Sequence, residues 1–219
     1  MNKDVNGFTQ EYLFYSQFYF LLRAQGLWCP FIPVEHGGMG LKPLANALVQ
    51  MELGESFLGA LALNTQGPDD ATMLTLLEHG TDEQKEKYLK PLLEGRKRIC
   101  YSMTEKAAGA DATGMQTTAV LEGDNWVLNG EKWFSSSASV ADIAVVMAKT
   151  DPDAPRHQQF STFIVELPNP GYQIVRDIPT MNPHTELGQK LGAGHAVFFQ
   201  TLGEQGGHRR GDDAARGDA

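Results

Sequence analysis

Cysteine is scarce in this 219-residue chain, which contains only Cys29 and Cys100. Two cysteines provide neither a disulfide framework nor the ligand spacing of a metal site, so they favour a reduced compartment, cytoplasmic or mitochondrial. Long apolar runs are missing as well, since no stretch reaches the roughly 18 residues that a membrane-spanning helix needs. The opening residues, 1–4, lack the charged-then-apolar layout of a signal peptide, and no targeting segment is visible.

Basic residues are the minority among the charges, with 18 Lys and Arg against 27 Asp and Glu and a net charge of −9. Such a chain does not favour nonspecific binding to nucleic acid, whose phosphates attract basic surfaces. A local basic pocket for an anionic ligand remains compatible with this balance. The length suffices for one large domain or two small ones, each with its own core.

The first part of the chain has a helical pattern. Apolar residues from Phe8 to Leu22 recur every three or four positions, which indicates one buried helix face. Thr81 followed by Gln84 is typical of a capping box at the start of a helix, and that helix is expected to stop before Pro91. The predicted helices are 8–25, 44–53, 71–79 and 82–89, with a short apolar segment at 58–63.

From Arg98 onward the pattern alternates with a period of two, which predicts strands. The Asn129-Gly130 pair between two such runs predicts a type I′ hairpin. Helices followed by strands predict an α+β fold, with a helical domain at 1–97 and a β-domain at 98–200. Residues 201–219 have no apolar period and are expected to form a disordered tail. The predicted strands are 99–103, 116–122, 126–129, 131–136, 141–149, 162–167 and 172–176.

A loop of small residues, Ala107–Ala110, follows the first predicted strand and is closed by Asp111. Backbone N–H groups in such a loop can approach a phosphate closely. Thr104 adds a hydroxyl where the strand ends, and Trp133-Phe134 precede Ser135–Ser137 on a later strand. An aromatic face beside hydroxyls suits a flat heteroaromatic ring with polar edges. Taken singly, the loop is more often only a turn, the aromatics barrel core and the serines an ordinary loop.

Taken together, these segments resemble the acyl-CoA dehydrogenase family of flavoproteins. The family's motif is an aromatic, two residues, Thr-Glu and a Gly-Ala-Gly-Ser-Asp-like turn, followed by Asn-Gly-x-Lys and an aromatic-x-Thr/Ser. The matching residues here are Tyr101, Thr104-Glu105, Ala107–Asp111, Asn129–Lys132 and Phe134–Ser136. Further similar segments precede them in the same order, at 35–41, 51–54 and 80–92. The resemblance covers roughly residues 10–180.

The resemblance implies a fold, a reaction and a set of site residues. It implies an antiparallel, β-barrel-like middle domain after the helical one, and FAD-dependent α,β-dehydrogenation of an acyl-CoA thioester. An electron-transferring flavoprotein is the implied acceptor, and the family forms homo-oligomers. Phe134 stands where the family has Trp, and Ala110 replaces a Ser that bonds phosphate and substrate. The implied cofactor-binding residues are Tyr101, Ser102, Met103, Thr104, Gly109, Ala110, Phe134, Ser135 and Ser136, and Ala110 is also substrate-binding.

By the same resemblance, this chain is expected to lack the family's C-terminal helical domain. Because that domain supplies the catalytic carboxylate in the family, no catalytic base is assigned here, and the chain is expected to be truncated and inactive alone. An apolar face left uncovered would favour association. Two alternatives are a non-catalytic flavin- or acyl-CoA-binding or assembly protein, and an interaction scaffold in which the flavin motifs are relics.

Overall fold

The computed structural model describes residues 19–56, 58–178 and 194–205. Its backbone divides into two compact units, Met1–Lys97 and Arg98–Ala219. Within the described ranges, no helix is both long and apolar enough to span a membrane.

The first unit is helical. Residues 19–24 belong to a helix, and the rest of the predicted helix 8–25 lies outside the described residues. A 3₁₀ turn, Val34–His36, precedes the other helices. These are α1 (Pro43–Leu53), α2 (Gly59–Ala62), α3 (Asp69–His79), α4 (Asp82–Gln84) and α5 (Lys90–Leu93), with a π-helical turn (Lys85–Leu89) between α4 and α5.

The start of α4 is as predicted, but the predicted helix end is wrong. The Gln84 N–H donates to Thr81 Oγ1 at 3.2 Å, and the Thr81 N–H donates to Gln84 Oε1 at 3.0 Å, which completes the capping box. The helix then continues through Pro91. In the π turn the Lys90 N–H donates to the Lys85 carbonyl, five residues back. This wider turn places Pro91 in the first turn of α5, where a proline is tolerated.

Helix α1 carries an exposed apolar stripe. Leu44, Leu48 and Met51 follow helical spacing and are 77%, 57% and 71% exposed, and no residue of α1 is buried. The buried side chains of this unit come from the segment before α1 and from the later helices. They include Trp28, Ile32, Met73, Leu76, Leu89 and Leu92.

The second unit is one mixed sheet. Its strands are β1 (Ile99–Ser102), β2 (Thr118–Glu122), β3 (Asn125–Lys132), β4 (Ile143–Lys149), β5 (Phe160–Glu166), β6 (Tyr172–Ile178) and β7 (Gly194–Gln205). They are ordered β1-β4-β2-β3-β7-β6, with β5 paired to β4. Strand β7 extends past residue 200, and residues 206–219 of the expected tail lie outside the described residues.

The expected antiparallel, barrel-like sheet is only partly correct. The pairs β2–β3, β3–β7, β4–β5 and β6–β7 are antiparallel, but the sheet as a whole is mixed. Strand β1 pairs with β4 in parallel, with Ile99 opposite Ile143, and β2 also meets β4 in parallel. No pairing among the described strands closes the sheet. In the sequence, the hairpin of β2 and β3 lies between β1 and β4. The chain therefore crosses over after this hairpin and enters β4 in the same direction as β1. Local alternation predicts each strand but carries no information on this crossover.

The type I′ hairpin predicted at Asn129-Gly130 does not form. Strands β2 and β3 are joined at Gly123-Asp124, with Gly123 at φ 63°, whereas β3 continues through Asn129-Gly130 with a shift of register against β7 between Leu128 and Asn129. A Cβ added at Gly130 would lie 2.3 Å from Thr117 Oγ1 and 2.7 Å from Thr117 Cα. The glycine therefore serves a close approach by a neighbouring segment rather than a turn.

Candidate functional site

The small-residue loop begins at the end of β1 with a tight turn. The Glu105 N–H donates to the Ala108 carbonyl at 3.1 Å, and the Ala108 N–H donates to the Glu105 carbonyl at 3.0 Å. Beyond this turn Gly109 and Ala110 are exposed. A Cβ at Gly109 would meet no atom within 4 Å. Neither residue's N–H donates to another group in the described ranges, so two backbone donors are available to an anion there.

The loop is joined to the aromatic segment after β3. The Trp133 N–H donates to the Thr104 carbonyl at 2.8 Å, which brings together two motifs that lie 29 residues apart in the sequence. The side chains of Thr104 and Ser136 are both half-buried. Their hydroxyls make no hydrogen bond to any residue that the structure describes. Two of the expected cofactor-binding hydroxyls are thus available to a ligand.

Phe134 is held in an unusual conformation. Its φ is 59°, in the left-handed region, and its side chain is 48% exposed. The Ser136 N–H donates to the Phe134 carbonyl at 2.8 Å, which closes a tight turn. A left-handed non-glycine residue costs roughly 1–2 kcal/mol. Strain of this kind concentrates at functional sites, so an exposed, strained aromatic is a candidate ligand platform.

Trp133 does not share this exposure. Its ring meets that of Phe134 edge to face, with centroids 6.1 Å apart. The Arg176 guanidinium of β6 lies 4.8 Å from the Trp133 ring centroid, a cation–π arrangement. Trp133 is therefore packed between neighbours and supports the Phe134 turn.

Two other expected cofactor-binding residues, Ser102 and Ser135, point into the interior. Both are fully buried, and their hydroxyl oxygens lie 2.8 Å apart. In this arrangement neither residue presents an exposed atom to a ligand. Beside them, Cys100 Sγ lies 3.4 Å from the Tyr172 hydroxyl, and burial raises the pKa of Tyr172. Sequence patterns show three consecutive hydroxyls at 135–137 but not which of them faces outward.

Tyr101 lies in β1 and Met103 directly follows this strand, and both are half-buried. Burial raises the pKa of Tyr101, so its phenol is neutral at physiological pH. These residues line the strand that leads into the loop.

A buried ion pair beneath the loop is not among the predicted site residues. Lys132 Nζ donates to Glu105 Oε1 at 2.9 Å, to the Met103 carbonyl at 2.9 Å and to Met115 Sδ at 3.3 Å. The Lys132 side chain is 0% exposed and that of Glu105 8%. Two charged residues in adjacent motifs, Thr-Glu and Gly-x-Lys, are the sequence signal that could have indicated this pair.

The environment keeps Glu105 ionised. Burial alone would raise its pKa, but donors from Gln116, Thr117 and Lys132 outweigh burial and hold the pKa below the ordinary value. The Gln116 and Thr117 N–H groups lie 2.6 and 2.9 Å from the carboxylate oxygens. Burial lowers the pKa of Lys132, and Glu105 opposes that shift. A carboxylate so fully occupied is poorly suited to accept a substrate proton.

Asp111 closes the loop at its exposed end. Its carboxylate accepts from the Thr113 N–H at 3.1 Å and pairs with Arg156. These contacts, led by the hydrogen bond from the Thr113 hydroxyl, hold the pKa of Asp111 below its ordinary value. Because both members of the Asp111–Arg156 pair are exposed, it contributes little to stability.

Family models match both units of the chain. A model of the N-terminal domain of acyl-CoA dehydrogenases matches residues 7–96, and a model of their middle domain matches residues 100–190. The chain is 39% identical over 162 residues to acyl-CoA dehydrogenase family member 11 of Gallus gallus, a match covering 72% of this chain and 20% of that protein. It is 39% identical over 203 residues to the "Probable acyl-CoA dehydrogenase FadE2" of Mycobacterium tuberculosis, covering 83% and 49%.

Solved structures show the same fold. A Mycobacterium abscessus protein assigned to the acyl-CoA dehydrogenases superposes with a TM-score of 0.79 at 33% identity, over 91% of this chain and 50% of that one. The chain thus spans half or less of the length of these relatives.

Proposed function

This chain belongs to the acyl-CoA dehydrogenase family, and from that premise we propose that it forms an FAD-binding surface for the α,β-dehydrogenation of an acyl-CoA thioester. Membership supports a flavin-dependent dehydrogenase-like function in general. The observation that carries the finer proposal is the 2.8 Å bond from the Trp133 N–H to the Thr104 carbonyl. It brings the loop hydroxyl of Thr104 to the turn that holds Phe134 and Ser136.

The residues present fit an FAD molecule. The Thr104 and Ser136 hydroxyls are suited to the polar edge of the flavin ring, and Phe134 offers an apolar face. The N–H groups of Gly109 and Ala110 are suited to the phosphates. Ala110 brings no hydroxyl, which removes roughly 0.5–1.5 kcal/mol of binding relative to a serine. When bound, FAD supplies the oxidant that accepts a hydride from the substrate.

The proton acceptor is proposed to lie outside the described residues. Glu105 follows Thr104 directly, but three donors occupy its carboxylate and its pKa is lowered. It is a structural acceptor rather than a general base. The proposed substrate is an acyl-CoA thioester, the proposed electron acceptor an electron-transferring flavoprotein, and the proposed assembly a homo-oligomer. Both cysteines are buried and neither forms a disulfide, which supports a reduced compartment such as the cytoplasm or mitochondrion.

A second candidate is a non-catalytic binding or assembly protein derived from the same fold. The observation that favours it is the exposed apolar stripe of Leu44, Leu48 and Met51 on α1. A stripe of this kind is typical of a surface that another polypeptide covers. This candidate differs from the first in predicting no turnover of any acyl-CoA.

Flavin binding tests the proposed site, and bleaching of the bound flavin by an acyl-CoA tests for turnover. The purified chain is titrated with FAD by fluorescence quenching, and anaerobic acyl-CoAs are then added while the visible absorbance is followed. A yellow complex is expected, and removing either hydroxyl, by Thr104→Ala or Ser136→Ala, should raise the FAD Kd by roughly 2- to 13-fold. Bleaching by an acyl-CoA would place a proton acceptor within this chain and exclude the non-catalytic candidate. A yellow complex that does not bleach is expected both of a chain without its proton acceptor and of a binding protein.

Thr75→Ala is a matched control, since that exposed hydroxyl bonds its own helix at the Ala71 carbonyl. A chain that binds no FAD, or variants of Thr104 and Ser136 with unchanged Kd, would contradict the proposed site.

A further inference from the structure

We propose that Lys132 is a positioning residue, whose buried ammonium holds the Met103–Glu105 segment in register with the Trp133–Ser136 turn. Its consequence for flavin rests on the proposed function. The positioning itself is a property of the chain without any ligand.

Three consecutive loop residues are tied to two consecutive residues at the end of β3. Lys132 Nζ donates to the Met103 carbonyl and to Glu105 Oε1, both at 2.9 Å. Between those residues, the Thr104 carbonyl accepts from the Trp133 N–H at 2.8 Å. The Met103 backbone on one side of Thr104 and the Glu105 side chain on the other are thereby bonded to the strand that leads into Phe134. A shift of the loop along β3 would break all three bonds together.

Glu105 also connects this bonded segment to the far end of the loop. Its two carboxylate oxygens accept from the N–H groups of Gln116 and Thr117. Thr117 in turn lies against Gly130, where there is no room for a Cβ. The ten residues between Glu105 and Gln116 therefore form a loop closed at its base by the Glu105 carboxylate, which also pairs with Lys132. Gly109 and Ala110, with their available N–H groups, lie within that loop.

A buried ion pair by itself adds little to the free energy of unfolding. Burying both charges is unfavourable, and apolar residues of similar size often replace such pairs without loss. The pair here is instead notable for its geometric completeness. The Lys132 ammonium has three acceptors, namely a carbonyl, a carboxylate and the Met115 sulfur. Such directional bonding selects one arrangement of the segments it joins, which is the role proposed for it.

The test uses hydrogen exchange on the flavin-free chain, followed by FAD titration. Lys132→Met keeps an unbranched side chain and removes every donor, but leaves Glu105 as an unpaired buried charge. The double variant Lys132→Met/Glu105→Gln removes that charge and decides the question if the single variant does not fold. Strand β5 (Phe160–Glu166), which pairs with β4, serves as the internal reference.

In Lys132→Met, or in the double variant if the single one does not fold, hydrogen exchange should be about tenfold faster than in the original chain at the amides of residues 103–105, 116–117 and 133–136. The amides of β5 should keep their protection. The FAD Kd should rise by about tenfold, the equivalent of one or two lost hydrogen bonds. Unchanged exchange at 103–105 would overturn the proposal, and so would a parallel loss of protection in β5, because that would mark a global effect. If the unaltered chain binds no FAD, the proposed function fails, yet the exchange comparison still decides the role of Lys132.

Discussion

The hydroxyl oxygens of Ser102 and Ser135 lie 2.8 Å apart in the interior of the β unit. Ser102 ends β1, and Ser135 sits in the turn that presents Phe134. This hydrogen bond holds the strained turn on its buried side. The hydrogen bond from the Trp133 N–H to the Thr104 carbonyl holds the residue that precedes the turn. Two residues first considered as ligand-binding hydroxyls thus support the site from the interior.

Ser135→Ala should lower the free energy of unfolding by about 1–3 kcal/mol, because the Ser102 hydroxyl loses a buried partner. The double variant Ser102→Ala/Ser135→Ala should lose less than the sum of the single changes. Urea unfolding of the original chain, Ser102→Ala, Ser135→Ala and the double variant provides the coupling energy between the two hydroxyls, which is expected to be at least about 0.5 kcal/mol. Additive losses would show that the two hydroxyls do not act as a pair.

Phe134→Asn should separate stability from binding. Asparagine tolerates the left-handed region, so the free energy of unfolding should stay within about 1 kcal/mol of the original. The FAD Kd should rise by roughly 2- to 13-fold, since about 0.5–1.5 kcal/mol of stacking is lost. Phe20→Asn is a control on another exposed phenylalanine, and its FAD Kd should not change. Equal effects of the two changes on the Kd would argue against Phe134 as the platform.

Gly130→Ala should destabilise the β unit by about 1–3 kcal/mol, because its Cβ would meet Thr117 backbone as well as side chain. The matched glycine change, Gly109→Ala, adds a Cβ where no atom lies within 4 Å. It should leave the unfolding free energy nearly unchanged. Thermal and urea unfolding of both variants tests this contrast, and equal losses would refute the close approach.

Stability should fall at alkaline pH through Cys29. Burial raises the pKa of this thiol from 9.0 to about 11. The folded chain therefore holds the proton more tightly than the unfolded chain does. The contribution of the protonated Cys29 thiol to the free energy of unfolding is complete below pH 9. It is lost as the pH rises to 11, and the loss is up to about 2.7 kcal/mol.

The measurement compares urea unfolding at pH 8 and pH 10.5 for the original chain and Cys29→Ala. The alanine variant should lose less stability over this interval, since other titrating groups affect both chains alike. The same alkaline loss in both chains would contradict a protected thiol at position 29.

Local patterns in the sequence predicted several features of the structure. The Thr81–Gln84 capping box forms because its partners are three residues apart and each side-chain oxygen accepts from the backbone N–H of the other. Helix α1 and most strands lie where apolar periodicity places them. The family motifs were also readable locally, because each consists of a few adjacent residues. These features depend on contacts between near neighbours in the chain.

Other features were decided only by tertiary structure. Asn129-Gly130 could form a hairpin by its own preferences, but packing against Thr117 keeps it within β3. The parallel pairing of Ile99 with Ile143 joins residues 44 positions apart, which alternation cannot encode. The burial of Lys132 against Glu105, and the inward turn of Ser135 beside an outward Phe134, likewise arise from non-local contacts. By itself the sequence determined the local elements and the family of this chain, whereas tertiary packing decided which side chains remain available to a ligand.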